Sequence, residues 1–250
     1  MANVLLIGLC GAVVVLLLLS CASSFRRRPN RPTYKAHRLT EPLIIDANWD
    51  KHQWKKLPAL ELKHYMGKKP PHRPRTQAKV LYDDDNIYVI FRVQDRYVRA
   101  VVQQPNGLVC TDSCVEFFFT PGPDTKAGYF NLEVNAGGTP LFNFQKIPRK
   151  GILPIDPQDI CKIEIAHSLP AVVEPEITEP VTWTIEYRIP ITLLEKYFPV
   201  VRPAPGITWP VNFFKCADKS SHPHWLTWSP VDRPEPDFHV PECFGTLEFQ

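Results

Sequence analysis

From residue 129 the chain alternates between apolar and polar side chains. Phe130, Leu132, Val134 and Ala136 interleave with Tyr129, Asn131, Glu133 and Asn135, the period of two that divides a β-strand into a core face and an exposed face. The segment from Asp112 to Phe119 repeats the division: Val115, Phe117 and Phe119 share one side, Cys114, Glu116 and Phe118 the other. The clearest hairpin joins residues 78–82 to 87–94 through Asp83, Asp84, Asp85 and Asn86. It sets Ile87, Val89, Phe91 and Val93 on one face and Tyr88, Ile90, Arg92 and Gln94 on the other. Further strand signatures fall at 42–46, 60–64, 141–145, 160–167, 181–189, 211–217, 225–228 and 245–249, against two short helices near 50–56 and 192–197. Helices so few and so short cannot cover the apolar faces of this many strands. The pattern predicts an all-β fold, a two-sheet antiparallel β-sandwich of jelly-roll type with one or two short helices.

Composition sharpens the picture. The chain has 27 prolines and only 11 glycines, and proline, with φ fixed and no N–H, belongs in turns and at strand edges. The formal net charge is +3, with both signs interspersed past residue 40, so no nucleic-acid partner is expected.

The amino-terminal residues follow a different rule. No charged side chain occurs before Arg26, and residues 4–19 form one apolar run, the length of a signal-peptide core and short of the roughly 20 residues that span a bilayer. The run ends in Leu18, Leu19, Ser20 and Cys21, similar to the lipobox cleaved before a lipid-modified cysteine in bacterial lipoproteins. An ordinary cleaved signal and a retained anchor are the alternatives, the latter favoured by Arg26, Arg27 and Arg28 behind the run. The expected organisation is a signal peptide and lipobox over 1–21, a basic, proline-containing tether over 22–39, and one large sandwich domain over 40–250. Its place would be outside the cytosol, either membrane-anchored through lipid on Cys21 or free in the extracellular or periplasmic space.

Cys110, Cys114, Cys161, Cys216 and Cys243 remain in the domain. They are odd in number and show no Cys-x-x-Cys or Cys/His ligand spacing, so buried thiols with at most one or two disulfides are expected and a metal centre is not. No cofactor is expected either, structural calcium at the acidic run 83–86 being the one exception; that run lacks ligand spacing and suits a hairpin turn.

Two amides, a carboxylate and a phenol on one strand face are donors and acceptors suited to a hydroxyl-rich ligand. Asn131, Glu133 and Asn135, with Asp112 and Glu116 from the neighbouring strand, are therefore candidate ligand-binding residues. Asp112 has strand capping as its structural alternative, and Glu116 a salt bridge to Lys215. Lys215, Trp228, Phe238 and His239 complete the candidate set. Phe238 and His239 sit in a loop stiffened by Pro234, Pro236 and Pro241, while for Trp225 and Trp228 core burial is the alternative. No residue is assigned a catalytic role.

The segments 112–119, 129–139, 212–218, 224–230 and 236–249, with the opening motifs at 43–49 and 80–89, together resemble the carbohydrate-binding module family 9-like domains over roughly residues 40–250. The resemblance implies a β-sandwich that grips a sugar between two aromatic rings and hydrogen-bonds it with polar neighbours, in polysaccharide-degrading systems such as xylanases. A pyranose has an apolar CH face that stacks on a π-face, and hydroxyls that need planar donors and acceptors. One ring of such a clamp falls on Phe238. Val109 stands where the other would be, and Glu133 where the family carries an arginine. The implied function is non-catalytic binding of oligo- or polysaccharide, of xylan or cellulose type, by an exported and lipid-anchored domain. A glycosidic-bond hydrolase component using carboxylates among Asp112, Glu116 and Glu133 is one alternative, and a haem-binding redox sandwich using Met66 is another. A small sandwich without inserted loops and without Cys-x-x-Cys-His disfavours both.

Overall fold

The computed structural model describes residues 31–250. Its strands follow one hydrogen-bonded path that curls into two facing layers. The first layer runs in the order Lys150–Pro154, Pro140–Ile147, Tyr129–Asn135, Cys114–Phe119, Thr208–Cys216 and Gly245–Phe249, each neighbour antiparallel. The second holds Arg75–Tyr82, Asn86–Asp95, Val181–Pro190 and Glu164–His167, again antiparallel. Thr33–Arg38 joins them, running parallel to Gly245–Phe249 from Thr33 to Ala36 and parallel to Arg75–Tyr82 at His37 and Arg38. Val98–Ala100 and Val173–Ile177 pair as a separate small sheet. Among the described residues the α-helices are His52–Lys55, Pro157–Ile160 and Ile191–Glu195, and no helix is long and apolar enough to cross a membrane.

The inward faces are those marked by the alternation. Val115, Phe117, Phe119, Phe130 and Leu132 from the first layer meet Val89, Phe91, Val93, Ile185 and Tyr187 from the second in one continuous core. Phe213 ties the layers, stacked on Phe117 at 4.8 Å and tilted against Phe91 at 5.9 Å between ring centroids. The hairpin has the expected register, with Tyr82 opposite Ile87. Its turn is closed by Asp83, whose carboxylate accepts from the backbone N–H groups of Asp85 and Asn86 and from the Tyr88 hydroxyl.

Several expectations change. Residues 33–38, read as part of a tether, form a strand that buries Tyr34 and Ala36 and exposes Lys35 and His37; the basic composition hides this short alternation. Residues 42–46 form no strand. Leu43 and Ile45 instead pack with Trp49 and Trp54 over Leu81, Tyr88 and Ile90, covering the outer face of the second layer. The lipobox and Cys21 lie outside the described residues.

The largest change concerns the polar face of Tyr129–Asn135. Tyr129 and Asn135 are fully buried, and Asn131 and Glu133 are only 1% and 6% exposed. After Ser229 the chain crosses back over the sheet: Phe238 stacks on Phe214 at 4.2 Å, and Phe244 meets Tyr129 edge-on at 5.8 Å. Each such ring contributes about 1.5–3 kcal/mol when removed from water. Prolines at 230, 234, 236 and 241 restrict the unfolded chain and lower the cost of ordering the cover. Met66, Val109 and Val240 seal the remainder.

Candidate functional site

Sheet and cover do not close completely. Between them lies a hollow of about 150 Å³, room for on the order of five water molecules. Glu116, Glu133 and Cys216, all on the outward face of the sheet, line its inner end. Arg149, Asp218, Trp225, Phe238 and His239 bound the remainder. A wider groove of about 640 Å³ passes Asp124, Lys126 and Glu242. Those ionisable groups are exposed, so it lacks the converging buried polar groups of a specific site.

Strand pairing sets the inner end. Glu116 stands directly opposite Glu133, and Cys114 opposite both Asn135 and Cys216. Burial raises the pKa of Glu116 well above the usual carboxylate value, with the Glu133 charge adding to it. Burial likewise pushes Glu133 up, against the hydrogen bond it accepts from Asn131. Two like charges opposite one another on adjacent strands, away from water, cannot both persist at neutral pH without a counter-charge.

Hydrogen bonds organise the walls. Asn131 donates to Glu133 at 3.0 Å and accepts from the Gln145 amide at 2.9 Å. Gln145 accepts from the Arg149 backbone N–H at 2.9 Å, which orients its amide so that its nitrogen faces His239 Nδ1 at 3.0 Å. Tyr129 Oη lies 2.8 Å from the same ring nitrogen. Burial, and then Arg149, depress the His239 pKa to about 4, so the ring is a neutral acceptor in this network. Arg149 holds Asp237 through Nε and Nη2 at 3.1 and 2.7 Å, and Trp225 donates its indole N–H to Asp218 at 2.8 Å.

The structure brings Glu116, Glu133, Phe238 and His239 together at the hollow, with Asn131 behind them. The remaining candidates lie elsewhere. Asp112 is buried beneath a loop, its Oδ2 accepting from the N–H groups of Val101 and Val102 and from Asn135 Nδ2. Asn135 also donates to Val102 O and accepts from Thr139 N, so both residues tie down the chain around the strand ends. Lys215 is not the partner of Glu116. It alternates to the opposite side of its strand, where its ammonium donates to His224 and the Cys216 carbonyl at 2.8 Å each and lies 3.7 Å from Asp95. Trp228 is buried, edge-on to Phe213, and the tryptophan at the hollow is Trp225. Arg149, Asp218 and Asp237 carried no sequence signal of their own. Asp218 closes a segment noted in the sequence, but Arg149 comes from a tight turn whose direction only the fold reveals.

A family model described as Carbohydrate-binding family 9 matches residues 47–249. Among solved structures, a proposed carbohydrate-binding protein from Bacteroides uniformis ATCC 8492 is similar at 25% identity with a TM-score of 0.77, over 88% of this chain and 100% of that one. A family 9 carbohydrate-binding module from Caldicellulosiruptor kristjanssonii, solved with glucose, superposes with a TM-score of 0.58 at 13% identity, over 88% of this chain and 96% of that one. A family 9 module from the same organism, solved with cellotriose, gives 0.58 at 14%, over 88% and 94%. These two likenesses establish shared fold. No curated protein matches the chain. With the family model spanning most of its length, and the layered architecture common to it and these structures, the chain belongs to carbohydrate-binding family 9.

Proposed function

We propose that this chain is a non-catalytic carbohydrate-binding domain, exported and lipid-anchored through Cys21, that takes the end of a xylan- or cellulose-type oligosaccharide into the hollow. One observation carries the reading: two aromatic rings, Trp225 and Phe238, line the same small space as Glu116, Glu133, Asp218 and Arg149. That is the chemistry a pyranose needs, π-faces for its CH surface and charged donors and acceptors for its hydroxyls.

Trp225 takes the part of the second ring in this reading. Val109 is fully buried and offers none, while Trp225 is half-buried and held by its bond to Asp218. Phe238 is 8% exposed with one face on Phe214, so the part of its ring that lines the hollow meets the ligand. The size of the hollow suits a single ring, hence a chain end. Membership of family 9 and the glucose and cellotriose complexes of fold relatives favour a glucan or xylan. The run at 4–19 followed by Leu-Leu-Ser-Cys21 supports export with a lipid anchor.

Hydrolysis is the weaker reading, because Glu116 and Glu133 are cross-strand neighbours on one surface, whereas a glycosidase sets its two carboxyl groups on either side of the scissile bond. Haem is weaker still: Met66 is 1% exposed and packed in the apolar cover. The test is a screen of plant oligosaccharides against the intact protein. Binding to a neutral glycan supports the function, and the absence of binding by a folded sample overturns it.

A further inference from the structure

The thiols beside the hollow form a second pattern. Cys114 and Glu116 are two residues apart on one strand and therefore share a face. Cys216 stands directly opposite Cys114 on the neighbouring strand. The two sulfurs and a Glu116 carboxylate oxygen all lie within 4.8 Å of one another, and Cys216 Sγ is already 3.1 Å from Glu116 Oε1. All three residues are at most 2% exposed, in the middle of a sheet whose pairing fixes their positions. None of the three cysteines around the hollow, Cys110 included, is in a disulfide.

The charge balance of this region is incomplete. Glu116 and Glu133 converge from the sheet and Asp218 from the wall. Against them stands Arg149, already paired with Asp237 at 2.7 Å, while Lys215 points to the other side of the sheet. Among the described residues the one side-chain hydrogen bond to Glu116 is the weak thiol donor of Cys216. A buried carboxyl with so little support either keeps a proton or takes a cation, and the two thiols beside it supply the further ligands a cation needs.

We propose that Cys114, Glu116 and Cys216 bind a zinc ion, with the fourth position turned toward the hollow and completed by water or by Cys110. Two sulfurs and one oxygen suit a borderline-soft ion and are the wrong donors for calcium. A tetrahedron with Zn–S bonds of about 2.3 Å has sulfurs roughly 3.8 Å apart, so the side chains need to close by no more than about 1 Å. Binding breaks two S–H bonds, forms two Zn–S bonds and one Zn–O bond in place of aqua ligands, and releases the two thiol protons to water, while the carboxyl proton that Glu116 shares with Glu133 stays on Glu133. The hollow supplies the way in.

The site shares Glu116 with the sugar hollow but does not rest on the sugar reading, since zinc can bind without glycan affinity and its failure leaves glycan binding untouched. The experiment uses the full chain, reduced, stripped with chelator and titrated with Zn²⁺ in competition with a chromophoric chelator. Co²⁺ serves as the spectroscopic probe. The expected result is one ion per chain, tetrahedral Co²⁺ bands with sulfur-to-cobalt charge transfer, and two or three sulfur neighbours by X-ray absorption. Cys114→Ser and Cys216→Ser weaken Zn²⁺ by at least about 100-fold, beyond the ~10–100-fold that follows loss of a supporting residue, while Cys161→Ser leaves it unchanged. Should the serine variants fail to fold, the sulfur count on the unmodified protein decides. No bound ion, an ion with only nitrogen and oxygen neighbours, or a Cys114–Cys216 disulfide in the protein as isolated overturns the proposal.

Discussion

Glu116 and Glu133 face one another across adjacent antiparallel strands, both buried beneath a cover that leaves a small hollow above them. Without a metal, the pair must share a proton at neutral pH. Glu133 titrates at about 7 in the fold, raised by burial from an ordinary value of 4.5. The folded protein therefore holds this proton more tightly than the unfolded chain does, and the pair's contribution to stability falls as pH rises from about 4.5 through about 7. Glu133→Gln removes that loss. With chelator present, urea unfolding should find the variant about 1–3 kcal/mol more stable than the parent at pH 8 and close to equal at pH 4.5. A variant less stable than the parent at pH 8 would show that the charged pair is well supported in the fold.

His239 titrates in the opposite sense. Its Nδ1 lies 3.0 Å from the Gln145 amide nitrogen and 2.8 Å from Tyr129 Oη, and burial, with Arg149 nearby, sets its pKa at about 4 in spite of the opposing Asp237 charge. A depressed folded value means that its contribution is intact above about pH 6.5 and is lost as pH falls from there through about 4. The His239 ring signals in an NMR titration should move with a midpoint near 4. A midpoint at 6.5 or above would mean that the ring is open to water and the Tyr129–Gln145–His239 network is not formed.

Asn135→Ala separates scaffold from ligand contacts. The amide holds Val102 O, Asp112 Oδ2 and the Thr139 N–H, all buried or partly buried and away from the hollow. Its removal should cost about 1–3 kcal/mol of stability while glycan affinity, measured at a temperature where the variant is folded, stays within about twofold of the parent. A large loss of affinity at full stability would place Asn135 at the ligand.

The sequence announced much of the fold, and the structure shows where its signals stop. Period-two alternation placed Phe117, Phe119, Phe130 and Leu132 in the core, and the hairpin through Asp83 has the expected register. The same alternation could not say what covers the other face. Asn131, Glu133 and Asn135 look solvated on their own strand, yet a segment about a hundred residues further along lies over them. Lys215 was matched to Glu116 by charge, although its place between Phe214 and Cys216 turns it to the far side of the sheet. Trp225 and Trp228 are three apart and fall on different sides, which residue type alone could not decide. The thiol and carboxylate cluster was equally hidden, because ligand spacing along a chain cannot reveal donors that meet only through cross-strand pairing.

The hollow bounded by Trp225 and Phe238 is expected to bind a neutral sugar chain end, and isothermal calorimetry with cellotriose and xylotriose measures whether it does. The prediction is saturable binding of at least one of them, at one site per chain. Trp225→Ala or Phe238→Ala should weaken it by about 10-fold or more, in line with about 1.4 kcal/mol for a lost stacking ring. No heat of binding from either sugar with folded protein, or affinity untouched by both substitutions, would contradict the account.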